Sequence, residues 1–134
     1  QPRSKMTIEE KIQSLLEAAL TAYGSPAQEL VPVERIKTPG DWQNLSRPYV
    51  IHFPVDVDPS YTHQGLMECK EWAYQVSVFE DSYADGRMLA NAVRDSLIGN
   101  HDGVRIFWSG QLHQVEANPL IHQFALTFQV FEAL

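Results

Sequence analysis

The sequence predicts an α+β domain, with a mainly antiparallel β-sheet of four to five strands and two α-helices packed on one face of that sheet. Several stretches alternate between apolar and polar residues, which is the period of a strand. Two other stretches carry apolar residues at spacings of three and four, which is the period of a helix. The strands outnumber the helices that could connect parallel neighbours, and this favours antiparallel pairing. The predicted order is α-β-β-β-α-β-β.

The first helix is predicted to begin at Thr7. The run Thr7-Ile8-Glu9-Glu10 has the pattern of a capping box, in which a hydroxyl and a carboxylate satisfy the free amides at a helix start. Apolar residues then recur every three or four positions over about four turns. The run Gly24-Ser25-Pro26 ends the helix, because proline cannot continue it. The predicted buried stripe consists of Ile8, Ile12, Leu15, Leu16, Ala19, Leu20 and Tyr23.

Three predicted strands follow the first helix. Residues 30–37 form a short strand that contains Pro32, and proline has no amide to donate, so this strand is predicted at a sheet edge. Residues 49–57 and 66–80 form longer strands with alternating faces. The polar residues 56–65 are predicted to be a long connection between them, which indicates an antiparallel pair.

The second helix is predicted to begin at Ser82. The pair Ser82 and Asp85 repeats the capping pattern, and acidic side chains favour the positive end of a helix. Gly86 weakens the first turn, and Gly99-Asn100 ends the helix. The predicted apolar stripe consists of Met88, Leu89, Ala92, Val93, Ser96 and Leu97.

Two more strands complete the predicted sheet. Residues 103–117 form a strand with a bulge or kink at Ser109-Gly110, and Asn118-Pro119 forms a turn. Residues 120–134 form the last strand. One face of that strand is predicted to carry Phe124, Leu126, Phe128 and Val130.

The composition indicates one acidic domain covering residues 1–134, of which residues 1–5 are a possible tag or disordered leader. Ten basic and seventeen acidic residues give a net charge of −7. The basic residues are scattered, which argues against a nucleic-acid stripe and against an anionic membrane partner. No apolar run reaches the roughly 18 residues of a membrane span. One cysteine, Cys69, makes no intrachain disulfide, so a reducing compartment is predicted.

The histidines show no spacing typical of metal ligands. The nearest pattern is His113 with Glu116, and a spacing of three on a strand puts the two side chains on opposite faces. They are expected to be surface or rim residues. No metal, no cofactor and no catalytic residue is predicted, and the chain is not expected to be an enzyme. The five histidines are His52, His63, His101, His113 and His122.

Other candidate residues have structural interpretations. Cys69 lies within a predicted strand and is expected to be a small core residue rather than a nucleophile. Trp72 and Trp108 lie on predicted strands and are expected to anchor the core or an interface. Trp42 lies in a loop, where it is either a cover over the core or a contact with a partner.

Four stretches carry a resemblance to a known family. They are "IEEKIQSLLEAALTAY", "RPYVIHFPV", "WAYQVSVFEDSYADGRMLANAVRDSL" and "GVRIFWSGQLHQVEANPLIHQFALTFQVF", and they cover almost the whole chain. In this order and with these patterns, the chain resembles the tail-completion and tail-terminator proteins of long-tailed bacteriophages. The similar features include a strand that leads through a polar turn into "ANAVRDSL", and an alternating aromatic last strand.

The resemblance implies a virion assembly protein that acts without catalysis. It implies a homohexameric ring that caps the tail tube, joins it to the head connector, and belongs to the virion neck after assembly in the host cytoplasm. The implied partners are further copies of the chain, the tail tube protein and connector or neck proteins. DNA would pass without specific binding, since a negative ring lumen repels phosphates. This expectation requires Asp or Glu side chains along the pore.

Two loops are the predicted assembly contacts, because long loops in compact domains are usually functional. The first carries Trp42, and the second carries Asp56, Asp58, Tyr61 and His63. An alternative is a head-completion, neck or minor capsid protein of the same fold. A further alternative, from a different class, is a small α+β ligand-binding domain or enzyme with a cleft between the sheet and the helices.

Overall fold

A computed structural model of the chain describes residues 7–22, 35–38, 47–61, 67–101, 103–117 and 120–133. None of the helices in this described part is long and apolar enough to cross a membrane. The elements are α1 (Ile8–Ala22), β1 (Ile36–Lys37), β2 (Tyr49–Tyr61), β3 (Met67–Glu80), α2 (Tyr83–Leu97), β4 (Gly99–Asn100), β5 (Val104–Ala117) and β6 (Leu120–Ala133).

The strands form one mixed sheet in the order β1-β2-β3-β6-β5-β4. The prediction of an α+β fold with two helices is confirmed, but the predicted count of four to five strands is wrong. The sixth strand, β4, has two residues, which are too few to show a period of two. The pair β1 and β2 is parallel and the other pairs are antiparallel. β1 lies at a sheet edge, as predicted for this segment.

Strand β2 is longer than the sequence pattern predicts. Residues 56–61, assigned to the polar connection that was expected from Asp56 to Gly65, pair with β3 from Ala73 to Met67. Backbone pairing holds this part of the hairpin and needs no apolar alternation. Strand β1 pairs with β2 only as far as Ile51, and beyond it no described strand pairs with that side of β2. Pro54 and Pro59, which lack an amide donor, are therefore tolerated in this part of the strand.

Both helices pack on the same face of the sheet. The register places Val50 opposite Val78 and Val78 opposite Phe124, so these three side chains share a face. The predicted face of the last strand is confirmed as part of the core. The helices contribute mainly aliphatic side chains, with Met88 as an exception because it is exposed. The buried helix residues are Ile8, Ile12, Leu16 and Leu20 of α1 and Leu89, Ala90, Ala92, Val93 and Leu97 of α2.

The predicted helix starts are confirmed by their hydrogen bonds. The amide of Thr7 donates to Glu10 Oε1 at 2.8 Å, and the amide of Glu10 donates to Thr7 Oγ1 at 3.2 Å. At α2, the amide of Asp85 donates to Ser82 Oγ at 3.1 Å. Each bond satisfies an amide that has no partner within its own helix, so the local sequence fixes where both helices begin.

A directed chain of hydrogen bonds crosses the core. Tyr74 Oη donates to His52 Nδ1 at 2.7 Å, and His52 Nε2 donates to Gln13 Oε1 at 2.6 Å. The amide nitrogen of Gln13 donates in turn to the carbonyl of Ile36 and to a carboxylate oxygen of Glu17, each at 2.8 Å. This series of hydrogen bonds therefore connects β3, β2, α1 and β1, and every donor in it has an acceptor.

His52 lies at the centre of this chain and is fully buried. The prediction that it is a surface or rim residue is wrong, because its position on β2 faces the helices together with Val50. Gln13 Oε1 can only accept, so neutral His52 carries its proton on Nε2 and accepts at Nδ1. Burial lowers the pKa of His52 to about 4 and raises the pKa of Tyr74.

Gly86 is required by packing. A Cβ atom at this position would lie 2.7 Å from Cε1 and 3.1 Å from Cδ1 of Phe124. The ring of Phe124 is buried and packs against Tyr83 and His113, so it has little freedom to move aside. The glycine that weakens the first turn of α2 thus allows the helix to approach the sheet closely.

The buried histidine predicts a dependence of stability on pH. The folded pKa of His52 is below its unfolded value, so its contribution is complete above about pH 6.5 and falls as the pH drops towards 4. We expect the loss to be on the order of 3 kcal/mol, measured by urea unfolding at several pH values. The variant His52→Gln keeps a donor and an acceptor but cannot titrate, and its pH profile should be flatter. Equal profiles for both proteins would contradict the assignment.

The contact at Gly86 predicts that Gly86→Ala destabilises the fold. Overpacking costs about 1–3 kcal/mol, and the better helix propensity of alanine offsets up to about 1 kcal/mol of that loss. The control Gly110→Ala should change the free energy of unfolding little, because nothing lies within 4 Å of a Cβ built there. Thermal and urea unfolding in the Phe124→Leu background should show a smaller cost for Gly86→Ala. The same cost in both backgrounds would argue against a clash with Phe124.

Candidate assembly surface

Large apolar side chains are exposed along β5 and at the start of β6. In β5 only Val104 and Ile106 are buried, and all other residues except Gly110 are exposed. The exposed fractions are 46% for Phe107, 41% for Trp108, 56% for Leu112, 51% for Val115 and 54% for Leu120. Several large apolar side chains exposed on one strand are typical of a surface that binds a protein partner.

A bulge explains why both faces of β5 carry these residues. The predicted irregularity at Ser109-Gly110 is confirmed by a register shift between Trp108 and Gly110. Before the bulge, Ile106 faces the core, and after it the odd-numbered His113 takes the same face as Phe124. The register places Trp108 and Val115 on the helix face and Phe107 and Leu112 on the opposite face, and all four are exposed.

The outer edge of β5 is also open. Strand β4 pairs with only two residues of β5, Arg105 and Ile106. From Phe107 to Ala117 no described strand pairs with the outer side of β5, and we call this segment the β5 edge. Its unpaired amide and carbonyl groups are a template for a further strand. The exposed apolar side chains therefore lie on a segment that can also bind through its backbone.

A basic groove lies between α2 and β5. Its volume is about 400 Å³, and its lining contains two arginines but no Asp, Glu or Lys. The guanidinium of Arg94 lies 5.3 Å from the ring centroid of Trp108, a cation–π contact. Arg94 Nε also donates to Asp95 at 3.2 Å. The residues of this arginine groove are Tyr83, Arg87, Asn91, Arg94, Trp108, Gln111, His113 and Phe124.

Two histidines meet at one end of the groove. Nε2 of His113 lies 3.0 Å from Nδ1 of His122, and the two rings are parallel within 3°. The ring of His113 also stacks on Phe124 at 4.5 Å, and Tyr83 approaches His113 edge-on. The β5–β6 register pairs His113 with Phe124 and Val115 with His122. His113 and His122 are therefore diagonal neighbours on one face of the hairpin, although they are nine residues apart in sequence. The sequence interpretation missed this pair because it tested only short spacings along one strand.

An acidic cleft lies at the opposite edge of the sheet. It lies beside α1 and β1, has a volume of about 460 Å³, and contains three carboxylates and one lysine. Glu10 belongs to the capping box, and Glu17 accepts a hydrogen bond from Gln13. The residues of this α1–β1 cleft are Glu9, Glu10, Gln13, Ser14, Glu17, Ile36, Lys37 and Thr38.

A third pocket lies at the end of the sheet, and the rings of Tyr49 and Phe79 stack there at 4.5 Å. The pocket has a volume of about 720 Å³. Burial raises the pKa of the Tyr49 phenol, the nearby Arg47 lowers it, and Glu116 raises it further. The lining residues are Tyr49, Phe79, Gln114, Val115, Glu116, Ile121 and Gln123.

The structure changes the set of candidate contact residues. Asp56, Asp58 and Tyr61, predicted to be in a loop, lie in β2, and their side chains are outside the described part of the chain. Trp42 and His63 lie outside the described residues. Of the exposed residues of β5, the sequence singles out only Trp108 as a candidate contact.

Trp72 and Trp108, which were expected to anchor the core or an interface, have different surroundings. Trp72 packs against the core, and its Nε1 donates to Glu132 at 3.1 Å, whereas Trp108 is exposed. The core expectation is confirmed for Trp72, and an interface role for Trp108 stays a prediction. Within the described part of the chain, no three or more His, Cys, Asp or Glu side chains are grouped as metal ligands would be. The side chain of Cys69 is outside that part.

Comparison with known proteins shows a shared fold. No protein-family model matches the chain, and no curated protein matches it significantly. Among solved structures, the chain is similar to one chain of a structure described as "Virion of native gene transfer agent (GTA) particle". The TM-score is 0.60 and the sequence identity is 19%, over 75% of this chain and 79% of that chain. The similarity therefore extends over most of both molecules and concerns the arrangement of their elements.

Proposed function

We propose that the protein is a structural subunit of a phage-like virion that assembles into a ring on the tail tube and acts through protein contacts rather than catalysis. In this proposal the ring is a hexamer that ends tube growth and presents a surface to the head connector. The observation that carries the proposal is the β5 edge, which combines an open backbone with exposed apolar side chains on both faces. A neighbouring subunit would cover both features at once.

The fold comparison supports a place in a virion. The similar solved chain belongs to a gene transfer agent virion, and the match covers three quarters of the present chain. The tail-terminator resemblance of the sequence points in the same direction. The assignment to the end of the tail tube rests on that resemblance.

The arrangement of the sheet supports a ring. A ring requires two different patches on each subunit, so that one patch binds the other patch of the next subunit. The described sheet has β1 at one edge and β4 with the open part of β5 at the other. The two edges differ, so each subunit has the two distinct patches that head-to-tail contacts require.

The charge of the chain supports passage of DNA. A net charge of −7 for each subunit would multiply around a ring and would repel phosphates from its lumen. This part of the proposal requires that Asp or Glu side chains line the pore. A pore lined by Arg and Lys would contradict the proposed passage of DNA through a negative lumen.

If the ring is a hexamer, the assembled particle should have six times the mass of one subunit. Native mass spectrometry and electron microscopy of the purified protein, alone and with the tail tube protein of the same particle, should show hexamers with a central hole. Tubes grown with the protein should have a fixed length. Binding to connector proteins without any effect on tube length would instead support the head-completion alternative, and a chain that stays monomeric under all these conditions would contradict the ring.

The β5 edge predicts that Leu112→Lys blocks assembly without unfolding the subunit. Leu112 is 56% exposed, so it contributes little to the core, but a lysine there would bury a charge in the interface. We expect self-association at least about tenfold weaker, measured by sedimentation. The matched control Met88→Lys changes a residue that is 51% exposed on α2, and it should assemble normally. Normal assembly of Leu112→Lys would show that the β5 edge is not the interface.

A further inference from the structure

We infer that the arginine groove of one subunit binds the α1–β1 cleft of a second copy of this chain. This inference rests on the proposed ring and names the charged surfaces that would close it. The contact would place the carboxylates of Glu9 and Glu10 next to the guanidinium groups of Arg87 and Arg94 of the neighbouring copy. The occupant of the groove is thus a defined part of the same protein.

The groove has the chemistry to bind carboxylates. Its lining contains Arg87 and Arg94 but no Asp or Glu, although acidic residues outnumber basic ones by seventeen to ten in the whole chain. The ring of Trp108 holds the guanidinium of Arg94 from one side, which limits its freedom before binding. An arginine held in this way loses less entropy when it pairs with a carboxylate.

The cleft has the opposite charge. Glu9, Glu10 and Glu17 line it together with a single cation, Lys37. Glu9 and Glu10 lie in the first turn of α1, which the capping box fixes at the protein surface. The two carboxylates are therefore presented by a rigid element.

The placement of the two surfaces suits a closed ring. Helix α1 packs over β1 and β2, whereas α2 packs over β3, β6 and β5, so the cleft and the groove lie towards opposite edges of the sheet. Each copy can then donate its cleft to one neighbour and its groove to the other. The groove also adjoins the β5 edge through Trp108 and Gln111, so one neighbour could cover both surfaces.

A charge-swap experiment tests this contact. The groove variant carries Arg87→Glu and Arg94→Glu, and the cleft variant carries Glu9→Lys and Glu10→Lys. Each variant alone would bring like charges together at every contact, so we expect assembly at least about tenfold weaker than for the wild type. In an equimolar mixture, subunits can alternate around an even-numbered ring, and every contact then joins opposite charges. The mixture should assemble again, with equal amounts of both variants in each ring.

The controls separate folding and ring formation from the contact itself. A second cleft variant with Glu9→Lys and Glu10→Gln keeps the capping box, because glutamine also serves at that position. Urea unfolding should show that each variant is folded. Suppose that the wild type forms rings. Normal assembly of the groove or cleft variant alone would then overturn this inference, and so would folded variants that fail to assemble when mixed. Either result would leave the ring itself intact. A wild-type chain that never assembles would overturn the ring and this contact together.

Discussion

The described structure depends on one geometric mismatch, because two helices must cover strands about twice their length. Each helix has 15 residues and is roughly 22 Å long, whereas β5 and β6 have 14 residues each and span roughly 46 Å. The helices bury the middle of one face and cannot reach the far part of β5. On that face Val115 stays exposed, whereas Phe107 and Leu112 lie on the opposite face, where no described helix packs. This exposed apolar surface exists before any partner binds.

The covered part of the molecule holds the exposed surface in place. The chain from Tyr74 through His52 to Gln13 matches each buried donor with an acceptor and ties α1 to three strands. On the other side, Gly86 lets α2 lie directly on Phe124, which also supports the aromatic wall of the arginine groove. The binding surface is thus built on elements whose positions are fixed by the core.

The sequence predicted the local structure better than the surface. Capping patterns at Thr7 and Ser82, the bulge before Gly110 and the alternating face of β6 all depend on neighbouring residues, and the structure confirms them. The buried role of His52 and the pairing of β2 beyond Pro54 depend on partners distant in sequence. The open β5 edge could not be read from the sequence either, since only the register shows that no described strand pairs with its outer side.

Hydrogen exchange tests the central claim most directly, because it reads the backbone of β5 itself. In the isolated subunit, amides of residues 107–117 that point away from β6 should exchange quickly, while those of β3 should be protected. In the assembled particle the account predicts strong protection of those same β5 amides, with β3 unchanged. Fast exchange along β5 in the assembled particle would show that the open edge is not where subunits meet.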